Sequence, residues 1–339
     1  MRTLPCSLIA SVAGSSFPAY PFSFTVHSVF PRAANLRPSG GGFLLSLVSD
    51  AAKAHPHSSV VPSARFEDWG LLPGDPGCFD GEVIRFGAGR GGGRAAAPEI
   101  TLPRSRRPAD DESPSRGRPR AESLRAAADA VEALRAERRA EPSLAELFAA
   151  APPAGNGFSA RFVRAARELE RAEAARSVPL FLAAARKLAG FGPGLTPAGD
   201  DFLCGWFAGQ RARAADRPGS AAFLDECGAA AFGAGALGAA ALGTAEPGAD
   251  ALSAGAHGTG GLAERTNDIS AAFLADAAGG RFGSALVAFA DAVIADAAIA
   301  ARSADEIANS VAVLGDLGHS SGTDAAAGFL FAYREEIGG

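Results

Sequence analysis

Lysine is almost missing from this chain. Only Lys53 and Lys187 stand among its 32 basic residues, and its 339 positions hold one methionine, two tryptophans and two tyrosines. Alanine and arginine fill the room, a skew that reads as codon bias with no chemistry in it. Cysteine is as sparse. Cys6, Cys78, Cys204 and Cys227 lie far apart, without the paired spacing of a zinc site or the density of a disulfide scaffold. Cys204, in an apolar run, reads as a small buried hydrophobe. A reduced, cytoplasmic protein is the expectation. No apolar run reaches the ~18 residues of a membrane span. Residues 1–14 (MRTLPCSLIASVAG) mimic a secretory signal, but Pro5 and Ser7 break the apolar run. Positive charge is also in deficit: the net charge of −5 argues against a nucleic-acid surface.

What is present is ordinary for a globular chain: 47% hydrophobic and 20% charged residues, with length enough for two domains. Residues 22–102 read as β. FSFTVHSVF, GGFLLSLVS, SSVVPSARF and GEVIRFGAG are short runs of β-formers separated by Gly and Pro, the pattern of a small antiparallel sheet or barrel. Residues 103–120 (PRSRRPADDESPSRGRPR) are dense in Pro, Ser and charge and read as a linker. Their basic run is interrupted by Asp110, Asp111 and Glu112 and carries no aromatic residue. From residue 121 the period becomes helical, starting with ESLRAAADAVEALRAERRA and continuing to the C-terminus. Residues 243–262 are Gly/Ala-rich and read as a loop, with His257 a solvated residue within it. The expected architecture is α+β: a β-rich domain over 1–102, a linker over 103–120 and an α-helical domain over 121–339.

GFGPGLTPAGDDFLCGWFAG, residues 190–209, is the least ordinary stretch. It sets several glycines and two prolines ahead of an apolar helix, with Asp200 beside Asp201 at its door. Pro197 suits the first helical position, which makes Thr196 the natural N-cap. Both aspartates then fall in the first turn, where the helix dipole favours negative charge by roughly 0.3–1 kcal/mol each. Gly190, Gly192, Gly194 and Gly199 allow close backbone approach, and free N–H groups at such a start can cradle an anion. A well-capped buried helix explains one aspartate. A ligand site explains the pair.

A second stretch answers the first. In GDLGHSSGTDAAAGFLFAYR, residues 315–334, Gly318 matches Gly194 and Ser320 matches Thr196. Gly322 then matches Gly199, Asp324 matches Asp201 and Gly328 matches Gly205. Two similar helix starts suggest a pseudo-repeat whose N-termini converge on one pocket. Adjacent side chains on a helix point about 100° apart, so Asp200 and Asp201 should do different jobs. The match to Asp324 makes Asp201 the pocket-facing member and Asp200 the cap. Between the two stretches, ERTNDISAAFLADAAGGRF places Arg265 and Thr266 just ahead of another helix start, and an arginine there can bind an anion bidentately. In the β region, VHSVFPRAANL offers His27, Ser28 and Asn35, with Val26, Val29 and Phe30 as core.

GFGPGLTPAGDDFLCG, ERTNDISAAFLADAAGGRF, LGHSSGTDAAAG and VHSVFPRAANL together resemble a bacterial family, long listed only as a domain of unknown function, that includes the oxamate carbamoyltransferase subunit AllH. The resemblance spans about residues 20–335. Where that family usually has a serine before the glycine of the first motif, this chain has Ala198. The resemblance implies a share in the reaction oxalurate + phosphate ⇌ oxamate + carbamoyl phosphate, in a complex with other carbamoyltransferase subunits in allantoin breakdown. Carbamoyl transfer needs oriented donors and exclusion of water more than a nucleophile. The candidate reacting residues are Asp201, Asp324 and His319. The candidate binding residues are Gly192, Gly194, Thr196, Gly199, Asp200, Arg265, Thr266, Ser320, Ser321, Gly322, His27 and Asn35. Their ligand would be a small anion such as phosphate, carbamoyl phosphate or oxamate. The carboxylates suit amide N–H groups or a Mg²⁺ ion. No Walker motif, zinc site or Ser–His–Asp arrangement is legible. The rival reading is a non-catalytic ligand-binding or scaffolding subunit.

Overall fold

A computed structural model of the chain describes residues 7–62, 64–87, 97–233, 261–294 and 304–338. His257 and the Gly/Ala-rich loop up to residue 260 lie outside the described residues. These form two compact units, one ending at Glu112 and the other starting at Ser113.

The first unit is built on one nine-stranded sheet, ordered β1-β9-β8-β7-β3-β4-β5-β6-β2. Its strands are β1 (Ser7–Ile9), β2 (Val12–Ala13), β3 (Phe22–Phe30), β4 (Ala33–Pro38), β5 (Leu45–Val48), β6 (Ser58–Val60), β7 (Pro76–Phe79), β8 (Val83–Phe86) and β9 (Glu99–Thr101). The sheet is mixed where an antiparallel one was expected, because β1 runs parallel to β9 and β5 parallel to β6. The run that mimics a secretory signal supplies β1 and β2, which pair with β9 and β6. Along β3 the period of two buries Phe24 and Val26 while Ser23 and Thr25 face out. Phe17, Phe24, Phe66 and Phe79 anchor the core, with Val29 packed half-buried against it. Phe30 is also only half-buried. The Pro/Ser-rich segment is bonded into structure. Arg106 donates to the carbonyls of Phe17 and Pro18, and Glu112 accepts from the Ser15 N–H and hydroxyl. From Ser113 onward the bonds go to the second unit, as from Ser113 Oγ to the Gly280 carbonyl.

The second unit is helical: α1 (Ala121–Arg138), α2 (Leu144–Phe148), α3 (Phe158–Ala174), α4 (Val178–Leu188), α5 (Ala198–Arg213), α6 (Ser220–Phe232), α7 (Asp268–Ala278), α8 (Ser284–Ile294), α9 (Ala304–Gly315), α10 (Ser321–Ala332) and α11 (Arg334–Gly338). None of the described helices is long and apolar enough to cross a membrane. At its centre α5 and α10 run side by side in the same direction. They touch at their starts through Thr196 and Ser321 and near their ends through Arg213 and the Ala332 carbonyl. The approach is backbone to backbone. A Cβ on Gly205 would lie 1.8 Å from the Ala325 carbonyl oxygen, and one on Gly328 would lie 2.0 Å from that of Phe202. The two glycines matched in the sequence thus each receive the backbone of the opposite helix. Gly199 and Gly322 repeat the relation one level out, against carbonyls in the last turns of the preceding helices, Leu188 of α4 and Leu314 of α9.

Candidate functional site at the paired helix starts

Thr196 does not cap α5. The helix begins at Ala198, Pro197 holds the cap position, and no side chain caps it. The Pro197 carbonyl accepts from the N–H groups of Asp200 (2.9 Å) and Asp201 (3.2 Å), while the Gly199 N–H reaches the Phe191 carbonyl at 2.8 Å. These bonds occupy the N–H groups expected to cradle an anion at this start. The Thr196 hydroxyl instead bonds Ser321 Oγ at the start of α10. At α10, Ser320 holds the cap position without a side-chain cap bond, and its carbonyl accepts from the Asp324 N–H and the Thr323 hydroxyl, each at 2.8 Å. Among the described residues, the N–H groups of Ser321, Gly322 and Thr323 meet no acceptor, as befits a helix's first turn.

Asp200 and Asp201 do different jobs, and the job of Asp200 is not the expected one. Rather than capping its own helix, buried Asp200 accepts from the Gly190 N–H at 2.8 Å and from the Thr266 hydroxyl. It ties α5 to the glycine loop before it and to the segment ahead of α7. That loop presses on the same segment, since a Cβ on Gly190 (φ 72°) would lie 2.1 Å from the Arg265 carbonyl oxygen. Asn267 completes the joint. It caps α7 through its Oδ1 and donates to the Leu195 carbonyl at 2.8 Å. The three motifs of the helical region are therefore held together by side-chain bonds.

Asp201 faces the Thr196 and Ser321 hydroxyls and the neighbouring Asp324. Its Oδ2 is out of contact with solvent and has no hydrogen-bond partner among the described residues. Asp324 is 2% exposed and receives Arg135 Nη1 at 2.7 Å on Oδ1, and its Oδ2 is likewise buried without a partner among the described residues. Sequence reading missed Arg135. The signal was there: Leu124, Ala127, Val131 and Arg135 form the buried stripe of α1, so a cation stands where the period demands an apolar side chain. A charge on such a stripe needs a buried partner.

Burial raises the pKa of all three carboxyls. It acts most strongly on Asp201, where the charges of Asp324 and then Asp200 add to it against the hydroxyls of Ser321 and Thr196. For Asp200 the bonds from Thr266 and Gly190 oppose the rise, and for Asp324 Arg135 does. The Cys204 thiol beside them is also pushed up, by burial and by the aspartates. A carboxyl that binds its proton more tightly when folded adds stability below the ordinary carboxylate range. That contribution is lost as pH rises through the raised value. Folding stability should therefore decline as pH climbs above the ordinary range, and Asp201→Asn should flatten the decline. Urea unfolding of both proteins across pH checks this. Parallel curves would mean that Asp201 folds without holding a proton.

The remaining candidates divide. Gly192 and Gly194 take φ of 123° and 106°, so their glycine is a backbone requirement. Gly194, Leu195 and Arg265 are exposed around the joint. His319 is exposed, and its carbonyl accepts from Arg138, which also binds the carbonyls of Gly315 and Gly318. His27 and Asn35 belong to the other unit. Val26 pairs Leu36 and Ser28 pairs Asn35, which leaves His27 as the extra residue of a β-bulge. His27 Nδ1 lies 3.1 Å from Ser28 Oγ, Asn35 donates to that oxygen at 2.9 Å, and Ser46 donates to Asn35 at 2.7 Å. This network lies within the sheet. Among the described residues no group of three or more His, Cys, Asp or Glu is placed to hold a metal ion together.

Residues 188–333, which span the joint, match the family model described as oxamate carbamoyltransferase subunit AllH. Residues 6–96 match the AllH family N-terminal domain. No curated protein and no solved structure matches the chain.

Proposed function

The chain belongs to the AllH family, and from that premise we propose that it serves in an oxamate carbamoyltransferase complex, with the joint of α5 and α10 as its substrate site. The observation that carries this reading is the meeting of two parallel helix starts at Thr196 and Ser321, beside two carboxyls that each keep a buried oxygen without a partner among the described residues. Phosphorolysis of oxalurate forms a bond from a phosphate oxygen to the carbamoyl carbon and breaks that carbon's bond to the oxamate nitrogen. The departing nitrogen needs a proton. A neutral Asp201 can give it, and its raised pKa supports that role. The proton is restored from the incoming phosphate. The free N–H groups at the start of α10, with the Ser321 and Thr196 hydroxyls, suit phosphate or carboxylate oxygens. Arg265 and Thr266 border the joint, and Asp324 can accept from a carbamoyl or oxamate N–H.

Asp201→Asn keeps the shape and removes the acid. In the complex reconstituted with its genomic partners it should lower the rate of carbamoyl phosphate formation by about 10²-fold or more, the usual worth of a positioned acid, while the variant stays folded. An unchanged rate would remove Asp201 from the chemistry. The second reading, a non-catalytic docking subunit, draws on the exposed Leu195 (59%) at the rim of the joint. Activity of the isolated chain would rule it out.

A further inference from the structure

The VHSVFPRAANL motif holds a residue that the proposed carbamoyl transfer does not use. Phe30 pairs with Ala33, so Pro31 and Arg32 form the two-residue turn between β3 and β4. Both turn carbonyls are held from outside the hairpin. The Ser49 N–H donates to the Arg32 carbonyl at 3.1 Å and the Phe66 N–H to that of Pro31 at 3.2 Å. The backbone is thus fixed while the guanidinium is left over: among the described residues no carboxylate pairs with Arg32. Nearby Arg65 differs, since it is engaged by Glu67 and Asp68.

Arg32 and Ser49 line two cavities, of about 390 and 400 Å³. Ser11 and Asp50 also line the first, and Arg65 the second. Asp50 is partly committed, because its Oδ1 caps the short helix Ala51–Lys53 by accepting from the Ala52 N–H. Each volume suits a small molecule. A guanidinium that meets no acceptor among the described residues, and that lines one cavity with Ser49 and Ser11, matches the flat fork of a carboxylate or two oxygens of a phosphate.

We propose that the β3–β4 turn carries an oxyanion site, with Arg32 as the bidentate donor and Ser49 and Ser11 as hydroxyl donors, that takes a small carboxylate or phosphate. Asp50 favours a ligand that also offers an N–H group. The site lies wholly within the first unit and does not rest on the function proposed for the helical joint.

The test is calorimetric titration of the full chain at low salt with inorganic phosphate and, separately, with oxamate. The wild type should show saturable binding of at least one, and the stronger arm tells which chemistry the site takes. Arg32→Gln should weaken that binding by about 10-fold or more, the scale of a lost charge-assisted pair. Arg32→Lys should restore part of it, since charge returns without the fork. The melting temperature without anion should stay unchanged, because Arg32 is exposed and pairs with no carboxylate among the described residues. Absence of saturable binding by either anion, or equal binding by Arg32→Gln, would overturn the proposal. So would binding that survives Arg32→Gln and is lost in Asp201→Asn, which would place the anion on the helical joint.

Discussion

Replacing Gly205 by alanine should destabilise the helical unit, although alanine is the better helix former by about 1 kcal/mol. The new Cβ would stand 1.8 Å from the Ala325 carbonyl oxygen and 2.9 Å from the Phe329 N, and both neighbours are backbone. No rotamer change relieves such a contact, so α5 and α10 must move apart. Overpacking of this kind costs about 1–3 kcal/mol and more when the neighbours are rigid, which outweighs the gain in propensity. Gly328→Ala should behave alike, for its Cβ would meet the Phe202 carbonyl oxygen. The double variant should lose less than the sum, because one separation of the helices relieves both clashes. Urea unfolding followed by far-ultraviolet circular dichroism measures all three. A stabilised Gly205→Ala protein would show that the two helices do not touch through their backbones.

Loss of Arg135 should be the larger blow. The residue is 1% exposed, and its guanidinium pairs Asp324 at 2.7 Å and gives two further bonds to the Pro142 carbonyl at 2.6 and 3.2 Å. Arg135→Met would leave the Asp324 carboxylate buried without a counter-charge, a change that costs about 3–5 kcal/mol. Asp324 already holds its proton more tightly than an ordinary aspartate because it is buried, and losing the cation raises its pKa further. The deficit should therefore shrink as pH falls, since a protonated Asp324 needs no partner. Adding Asp324→Asn should recover most of the loss at neutral pH. Unfolding free energies of the wild type, Arg135→Met and the double variant, taken at acid and neutral pH, check this. A deficit that does not change with pH, or no recovery in the double variant, would mean that Arg135 acts through packing alone.

The sequence by itself determined the class of each region and marked the two helix starts that meet through Thr196 and Ser321. Period two along FSFTVHSVF and the helical period after residue 121 are local properties that burial in any fold would enforce, so they could be read in advance. The same holds for the match of Gly205 with Gly328, because a close helix contact demands glycine in both chain segments. Tertiary structure alone decided how those residues meet. The parallel placement of β1 beside β9 joins segments far apart in sequence, and strands as short as Ser7–Ile9 carry too few residues for a period to show. The departure of Thr196 from its cap could not be foreseen either. A local cap bond and a bond to Ser321, 125 residues away, compete for one hydroxyl, and only the packing of α5 on α10 brings the second within reach. Asp200 was drawn away from its own helix in the same manner, by Gly190 and Thr266. Arg135 marked itself as misplaced on an apolar stripe, but its partner lies 189 residues on, and pairing across that distance is set by the whole helical core.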